Sequence, residues 1–431
     1  MDVRKKIGRI CLAGLCLAIL LSACSDDDSA TANKPLYRVI EVWAHTGSAE
    51  HNRALQEQVA RFNNVQHEIR VNVVILPRKS YEEQLATAAA NKRLPDIIEV
   101  SSPYIYQYAE NGALQPLDKW LMEEDLEQFM PAAVRQGMYH GRLYAVMPTL
   151  SGIVMFANRK LLEQAGIRLP APDHSWSIDT FNRNLATLAR QDSDGAVLDM
   201  QLYRGGNWPA SVMLPMLSSA GGGLIMHEPP DRFVQGLDNK NTLRVLSTVQ
   251  RWIHDGYVVD KPASFVNGDV AFMVAEHQTF WQYYTALGDD LVVMPLPDFG
   301  HGAKIALDAW AWGLTSQCHD VQASMHLLEF LLRDEEVVAT ADATGAMPAL
   351  KSALVMAEDY NDSGELAMMP ALVSRAAMMP ESSVYPYIAR IFQQAFAKIH
   401  RKDDVGQIMA KAAMAADKVL SGDRKKLQGR L

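Results

Sequence analysis

Cysteine is scarce in this sequence, and its placement excludes a disulfide-stabilised fold. The chain has 431 residues and four cysteines. Cys11 and Cys16 lie in an apolar N-terminal segment and Cys24 follows it, which leaves Cys318 alone in the rest of the chain. A single thiol cannot form an intramolecular disulfide, so we expect Cys318 to pack as a small buried hydrophobic side chain.

Basic charge and long apolar runs are also missing. The formal net charge is -9 and the sequence pI is about 5.8, whereas nucleic-acid-binding proteins carry a clustered basic face. We therefore expect no nucleic-acid partner. Beyond the N-terminus, the sequence offers no segment with the length and apolar character of a membrane span. The length instead suits two domains of roughly 150 to 200 residues.

The short motifs of common enzyme classes are absent as well. The sequence has no Gly-x-Ser-x-Gly, His-Glu-x-x-His, Gly-x-Gly-x-x-Gly or Walker motif. The stretch Asp192-Ser193-Asp194-Gly195 lacks the third acidic position and the distal Glu of a calcium loop, which favours a plain turn. The twelve histidines contain no i, i+4 pair. We therefore expect no catalytic residue, no metal and no cofactor.

The N-terminus has the order of a bacterial lipoprotein signal. Basic residues at positions 4–9 precede an apolar run at 10–21, which is short for a membrane span. Leu21-Ser22-Ala23-Cys24 then resembles a lipobox, in which Cys24 is lipidated and becomes the first mature residue. The alternative is an ordinary secretory signal cut elsewhere. We predict a signal peptide at 1–23, a flexible tether at 24–35, and an exported chain anchored to a bacterial membrane, facing the periplasm or the cell exterior.

Strand and helix patterns alternate in the first hundred residues. Segments 37–42, 69–76 and 97–100 have strand patterns, while 50–62 and the segment after Ser80 have helical spacing. Ser80 and Glu83 also form a capping-box pattern. The β-α-β-α-β order predicts an α/β fold with a parallel sheet. Because ligands bind beyond the carboxyl ends of such strands, segments 43–48 and 101–104 should share one rim.

Several further segments occur in an order that is specific to one family. They resemble the family 1 extracellular solute-binding proteins of ABC importers, the sugar-binding lipoproteins of the maltose-binding-protein type. The matching segments are Leu94-Pro95-Asp96-Ile97-Ile98, residues 111–118, residues 141–148 with 156–162, residues 175–181, residues 265–272, and Gly345-Ala346-Met347-Pro348-Ala349.

The resemblance implies a two-lobed periplasmic-binding-protein fold, with parallel-rich sheets flanked by helices. Three hinge segments would join the lobes, near Pro148, Trp312 and Gly345. By motif position, the N-terminal lobe comprises 36–148 plus 312–345. The C-terminal lobe comprises 149–311 plus 346–431. Lobes of this kind close around a solute by hinge motion.

The resemblance also implies a function and partners. The protein would capture a small extracytoplasmic solute, a sugar or oligosaccharide, in the cleft between the lobes and deliver it to an ABC-type permease. We expect a monomer. Sugars need flat aromatic rings against their C–H face and hydrogen-bonding groups against their hydroxyls. The candidate ligand-binding residues are Trp43, His45, Ser48, Ser101, Tyr104, Trp208, Trp281, Trp310 and Trp312.

For each aromatic candidate, the alternative to ligand contact is that the ring packs in the hydrophobic core. Trp208 lies beside glycines and a proline, which favours a loop facing the cleft. Trp281 matches the family's ligand-facing aromatic by motif position and follows a polar stretch at 276–279. Trp176 and Trp252 lie in apolar helical contexts and are assigned to the core.

Other functions remain open at this stage. The solute could be a non-sugar compound such as glycerol phosphate or a polyamine. The same lobes would also serve a sensory protein that presents its ligand to a receptor. A lipid-anchored polysaccharide hydrolase would need two carboxylates facing one cleft, for which Glu99, Asp298 and Asp308 are available without any supporting motif.

The lipobox generates the first testable prediction. Replacing Cys24 with Ala removes the thiol that would carry the lipid, so the protein should move from the membrane to the soluble fraction. Cell fractionation followed by immunoblotting measures this, with Cys318→Ala as the control that stays at the membrane. Unchanged membrane association of the Cys24 variant would contradict the anchor.

Overall fold

Strands and helices alternate along the chain, and the strands form two main sheets. The computed structural model describes residues 37–171, 174–228, 232–259, 262, 265–399 and 404–428. The predicted signal peptide (1–23), the tether (24–35) and Cys24 therefore lie outside the described residues. The strands are β1 (Arg38–His45), β2 (Ile69–Leu76), β3 (Ile97–Ser101), β4 (Met138–Tyr139), β5 (Arg142–Leu143), β6 (Thr149–Asn158), β7 (Leu198–Asp199), β8 (Ile225–Glu228), β9 (Arg232–Gln235), β10 (Phe272–Glu276), β11 (Leu291–Met294), β12 (Ile305–Asp308), β13 (Trp310–Leu314), β14 (Met347–Pro348) and β15 (Ala376–Ala377).

The helices are mostly short and lie against the faces of these sheets. In the described part of the chain, none combines the length and the apolar character needed to cross a bilayer. The helices are α1 (Ala49–Val65), α2 (Tyr81–Ala90), α3 (Ile105–Glu110), α4 (Glu123–Leu126), α5 (Pro131–Gly137), α6 (Arg159–Gln164), α7 (Ile178–Ala189), α8 (Trp208–Ser219), α9 (Lys240–His254), α10 (Phe280–Leu287), α11 (Val321–Leu331), α12 (Asp334–Thr344), α13 (Lys351–Met356), α14 (Met369–Val373), α15 (Tyr385–Ile399) and α16 (Val405–Gln428).

The first sheet has the strand order β13-β3-β1-β2. Strand β1 runs parallel to β2 and β3, which confirms the predicted β-α-β-α-β unit, and β13 joins antiparallel to β3. Helices α1 and α11 cover one face, where the rings of Phe62 and Phe330 pack 5.4 Å apart. Tyr81 and Leu85 of α2 pack on the other face. Covering both faces explains why β3 is buried along nearly its whole length.

The second sheet is built around β6. Its main path is β15-β12-β6-β10-β7, and β11 and β14 also pair with β6. Strand β6 runs antiparallel to β10, β11, β12 and β14 and is buried along almost its whole length. Helix α7 begins where Ser177 Oγ accepts the backbone N–H of Thr180, at 3.3 Å. Trp176 and Trp252 are buried beside it, as predicted.

The chain passes between the two sheets in three places. It leaves the first sheet before Thr149 and enters β6, and it returns between β12 and β13. The pairing of Trp310 with Ser101 puts this second passage at Ala309 rather than near Trp312. The third passage contains Gly345 and leads into β14. The lobe boundaries stay a prediction.

Two local predictions differ from the structure. Ser80 forms no capping box, because it ends a 3-10 turn (Arg78–Ser80) whose geometry directs its hydroxyl to Gln84 Nε2, at 2.9 Å. Cys318 is half-buried rather than fully buried, and its sulfur lies 3.3 Å from Ser324 Oγ. Desolvation at this position raises the pKa of the thiol to about 11, so the side chain is a neutral thiol.

Helices α1 and α12 are joined by an ion pair in which the carboxylate is buried and the guanidinium is partly exposed. The side chain of Glu336 is 4% exposed and accepts hydrogen bonds from Arg61 Nε at 2.9 Å and Nη2 at 2.7 Å. Gln58 also donates to the backbone oxygen of Glu336, at 2.9 Å. These bonds tie a helix from the beginning of the chain to one from its last third.

This ion pair generates a stability prediction. Arg61→Ala should lower the free energy of unfolding by about 1.5–3 kcal/mol, because it leaves the buried Glu336 carboxylate without two charged hydrogen bonds. Arg53 is exposed on the same helix, and Arg53→Ala should change the free energy of unfolding by less than about 0.5 kcal/mol. Urea denaturation followed by tryptophan fluorescence measures both variants. Equal effects of the two substitutions would contradict this role of Glu336.

Candidate functional site

A cavity of about 1010 Å³, open to solvent, lies between the two sheets. One side is formed at the carboxyl ends of β1 and β3 and by the start of α1. The other side is formed by the end of β10 and by β6 and β12, and all three passages contribute backbone. The cavity therefore occupies the position that an α/β sheet offers to a ligand, beyond the ends of its parallel strands.

A compact cluster of His45, Glu99 and Trp310 forms the wall on the first sheet. His45 Nδ1 lies 2.7 Å from Glu99 Oε2, and the backbone N–H of His45 donates to the same oxygen at 3.1 Å. The imidazole stacks on the indole of Trp310 with ring centroids 3.6 Å apart and an interplanar angle of 10°. The Tyr81 hydroxyl lies 2.6 Å from the backbone oxygen of Glu99 and fixes this strand end from behind. The cluster is thus preorganised without a ligand.

Two polar side-chain atoms on the opposite wall have no hydrogen-bond partner among the described residues. Asp308 and Ser151 occupy paired positions on β12 and β6. Asp308 Oδ1 and Ser151 Oγ are both buried and form no hydrogen bond in the described part of the chain. Burial, with a further contribution from the charge of Glu276, raises the pKa of Asp308 to about 6.

The remaining charged groups on the wall are largely compensated. Glu276 accepts two hydrogen bonds from Arg204, at 2.7 and 3.1 Å, and Arg204 in turn lies 3.9 Å from the centroid of the Trp208 ring. The Arg78 guanidinium lies 5.7 Å from the Trp310 ring. Burial lowers the pKa of His51, so this ring is neutral at pH 7.

A chain of hydrogen bonds through His277 and Tyr360 supports the wall on the side away from the cavity. His277 is completely buried; its Nδ1 accepts the backbone N–H of Gly152 at 2.9 Å, and its Nε2 lies 3.0 Å from the Tyr360 hydroxyl. That hydroxyl donates to the backbone oxygen of Gly345, at 2.5 Å. Burial lowers the pKa of His277 to about 4, so the ring is a neutral link between β6 and the third passage.

Glycine is required where this passage meets the wall. Gly345 has a φ of 71°, and a Cβ there would lie 2.3 Å from the backbone oxygen of Gln278. Gln278 itself lines the cavity. The close approach of the two backbones therefore sets where Gln278 can lie.

Four of the predicted ligand-binding residues line this cavity. They come from the end of β1, the N-cap of α1 and strand β13, and they are His45, Ser48, Trp310 and Trp312. Trp312 is almost fully buried, while Trp310 is half-buried. Ser48 also caps α1, accepting the backbone N–H of His51 at 3.1 Å.

Five predicted residues lie elsewhere. Trp43 is half-buried and donates to Glu41 Oε1, and Ser101 pairs with Trp310 in the sheet. Tyr104 stacks on Tyr108, with ring centroids 6.2 Å apart, in a separate groove between α2, α3 and α15. The last two, Trp208 and Trp281, are tryptophans whose indole N–H groups are bound by neighbouring acceptors.

These two tryptophans follow local helix geometry. Trp208 begins α8 instead of lying in a loop, because Pro209 suits the first turn of a helix, and its Nε1 donates to the Met200 oxygen at 3.0 Å. Trp281 is 41% exposed on α10 and donates to Asp359 Oδ2 at 2.6 Å. The cavity lining does not include either ring.

Sequence reasoning missed several wall residues, among them His51, Ser151, Glu276 and Gln278. The polar stretch at 276–279 was the available signal, and it was assigned to the surroundings of Trp281. The chain instead turns into α10 at Phe280, so Glu276 and Gln278, which precede the helix, face the cavity. No signal in the sequence marked Ser151, which lies in an apolar run.

Comparisons with known proteins agree on one family and one fold. The family described as "Bacterial extracellular solute-binding protein" matches residues 57–369. An uncharacterized lipoprotein from the oleD 5' region of Streptomyces antibioticus is 25% identical over 400 residues, covering 88% of this chain and 84% of the relative.

Two solved structures have the same fold at low identity. The cyclic alpha-maltosyl-1,6-maltose binding protein of Arthrobacter globiformis is 18% identical, with a TM-score of 0.75 over 90% of this chain and 100% of the other. The sugar-binding protein MalE of Xanthomonas citri is 17% identical, with a TM-score of 0.74 over 90% and 99%. They confirm the two-lobed α/β fold. With the family match over most of its length, the chain belongs to the bacterial extracellular solute-binding proteins.

Proposed function

We propose that this protein captures a sugar or oligosaccharide outside the cytoplasmic membrane and delivers it to an ABC-type permease. The observation that carries the proposal is the solvent-open cavity between the sheets, lined by His45, Trp310 and several hydrogen-bonding side chains. The sugar ligands of the two structural neighbours support the same chemistry. Delivery to a permease follows from the family, whose members bind solutes and are exported.

The chemistry of the wall supports a sugar more than a strongly charged solute. Glu99 is hydrogen-bonded to His45 and Glu276 is paired with Arg204, so these two carboxylates of the lining already have partners. Hydrogen-bonding groups from both sheets converge on the cavity, as a ring of sugar hydroxyls requires. The Trp310 indole supplies the apolar surface, although His45 already stacks on it.

The other functions are separated from this proposal by simple observations. A phosphate solute would need several free cations; Arg204 is engaged by Glu276, which leaves Arg78 on the lining, and glycerol 3-phosphate in the ligand screen tests this alternative. A hydrolase would need two available carboxylates; Glu99 and Glu276 are partnered, and Asp298 does not line the cavity. A reducing-end assay on polysaccharides tests the hydrolase directly. A sensory role uses the same cavity and is tested by deleting the permease.

The membrane anchor and the oligomeric state belong to the proposal as well. We infer that Cys24 carries a lipid that holds the exported chain at a bacterial membrane, and that the protein acts as a monomer. The Streptomyces antibioticus relative, itself named a lipoprotein, supports the anchor. Family membership supports export.

Ligand binding should be detectable as stabilisation. A sugar that binds only the folded state at one hundred times its Kd should raise the free energy of unfolding by about 2.7 kcal/mol. A thermal-shift screen of maltotriose, mannobiose, D-tagatose, glycerol 3-phosphate and spermidine measures it. X-ray scattering should show a smaller radius of gyration with the bound sugar, because the lobes close. A response to glycerol 3-phosphate or spermidine alone would contradict the sugar assignment.

Trp310 provides the mutational test of the same site. Trp310→Ala should weaken binding of the responding sugar about tenfold or more, because an aromatic ring stacked on a ligand contributes roughly 1–3 kcal/mol. Trp281→Ala is the matched control and should leave the affinity unchanged, since Trp281 lies on α10 outside the cavity. Isothermal titration calorimetry measures both. Weaker binding by the Trp281 variant alone would place the site elsewhere.

A further inference from the structure

Asp308 and Ser151 are the part of the cavity wall whose hydrogen bonds are incomplete. Asp308 Oδ1 and Ser151 Oγ are buried and lack a partner in the described part of the chain, and both residues line the cavity. Buried polar side-chain atoms in folded proteins nearly always have a hydrogen-bond partner. Two neighbouring exceptions in a ligand cavity indicate atoms that await a partner from outside the chain.

The backbone fixes these two side chains next to each other. Asp308 and Ser151 are paired residues of the antiparallel strands β12 and β6. Side chains at directly opposite positions of such a pair lie on the same face of the sheet, about 4.5–5.5 Å apart at Cβ. Because both residues line the cavity, a carboxylate and a hydroxyl lie side by side in its wall, which is the arrangement that two neighbouring polar groups of one ligand can fill.

The charges around Asp308 decide what kind of ligand suits it. Arg78 and Arg204 lie close enough to favour its ionised form, while Glu276 opposes ionisation and Tyr385 lies nearby on α15. Because the charge of Glu276 is compensated by Arg204 and Arg78 adds another positive charge, the surroundings of Asp308 do not attract a cation. A neutral hydrogen-bond donor can bind Asp308 Oδ1 without the free-energy cost of burying a second charged group beside it.

Resting on the proposed function, we infer that Asp308 and Ser151 form a specificity pair that binds two adjacent hydroxyl groups of the sugar. One sugar hydroxyl donates to Asp308 Oδ1. The Ser151 hydroxyl, which both donates and accepts, completes the hydrogen bonds of the next one. Sugars with an adjacent pair of free hydroxyls would be selected over analogues in which one of the two is removed, because the loss leaves a buried polar atom unpaired.

This pair gives ligand binding a defined pH dependence. Burial raises the pKa of Asp308 to about 6, so in the ligand-free protein the carboxylate is ionised above that pH and protonated below it. A hydroxyl donating to Asp308 Oδ1 favours the ionised form. Affinity should therefore be constant above about pH 7 and fall by up to tenfold per pH unit as the pH drops below about 6.

Asp199 is a matched control for the carboxylate. It is also buried, its Oδ2 also lacks a partner in the described part of the chain, and burial raises its pKa to about 6 as well. It differs from Asp308 in its place, at the end of β7 and outside the cavity lining. A variant at Asp199 therefore shares the partly unpartnered carboxylate and the raised pKa of Asp308 but lies outside the cavity lining.

The experiment is calorimetric titration of the mature protein with the tightest-binding sugar among maltotriose, mannobiose and D-tagatose, from pH 5 to pH 8. Asp308→Asn should lower the affinity at pH 7.5 at least tenfold and remove the pH dependence. Ser151→Ala should lower it several-fold, and Asp199→Asn should change neither quantity. The deoxy analogue that lacks one hydroxyl of the pair should bind wild type weakly and bind Asp308→Asn with little further loss.

Thermal melting without ligand separates this role from a structural one. Asp308→Asn removes a buried charge while keeping the shape, so its melting temperature at pH 7.5 should equal or exceed that of wild type. Wild-type affinity, or an unchanged pH dependence, in Asp308→Asn would overturn the specificity pair while leaving the sugar-binding function intact. If Asp308→Asn has a lower melting temperature than wild type, the Ser151→Ala variant decides instead: wild-type affinity in that variant would overturn the specificity pair. Failure of wild type to bind any of the sugars would overturn the proposed function first.

Discussion

The backbone pairing of β6 is the constraint on which the rest of the cavity depends. This strand pairs with β10, β11, β12 and β14, so it carries the hydrogen bonds of most of the second sheet. The same register sets Ser151 opposite Asp308 and presents the Gly152 N–H to His277. Because a shift of one residue would turn each side chain to the other face of the sheet, the wall chemistry is inseparable from this register.

The electrostatics of the wall follow a single pattern. Acidic side chains are placed near the cavity, and two of them have a hydrogen-bonding partner: Glu99 has His45, and Glu276 has Arg204. Such pairing keeps the cost of burying charge low and fixes the side chains before a ligand arrives. Asp308 departs from the pattern, because its Oδ1 has no hydrogen-bond partner in the described part of the chain. At functional sites, a side chain that serves binding is commonly kept even though it lowers the stability of the fold.

The tryptophans show how residue type alone misleads. Aromatic rings were assigned to the cleft because sugars stack on them, yet three of the predicted rings have indole N–H groups bound elsewhere. Trp43 donates to Glu41, Trp208 to the Met200 oxygen and Trp281 to Asp359. An indole needs an acceptor for its N–H as well as a surface for its ring. Whichever helix or strand supplies that acceptor decides where the ring lies, and this acceptor is distant in sequence for Trp281.

The sequence by itself determined the α/β class, the parallel start of the first sheet and the family, because these rest on local periodicity and on the order of motifs along the chain; the export signal stays a prediction. It also predicted the rim on which His45 and Ser48 lie beside the cavity, since both residues stand at the carboxyl end of a predicted parallel strand. Only the tertiary structure decided that Ser151, Glu276 and Asp308 line the same cavity from the opposite wall. Those three residues come from strands distant in sequence, and their neighbourhood is set by the register of antiparallel pairing around β6, which no local pattern encodes.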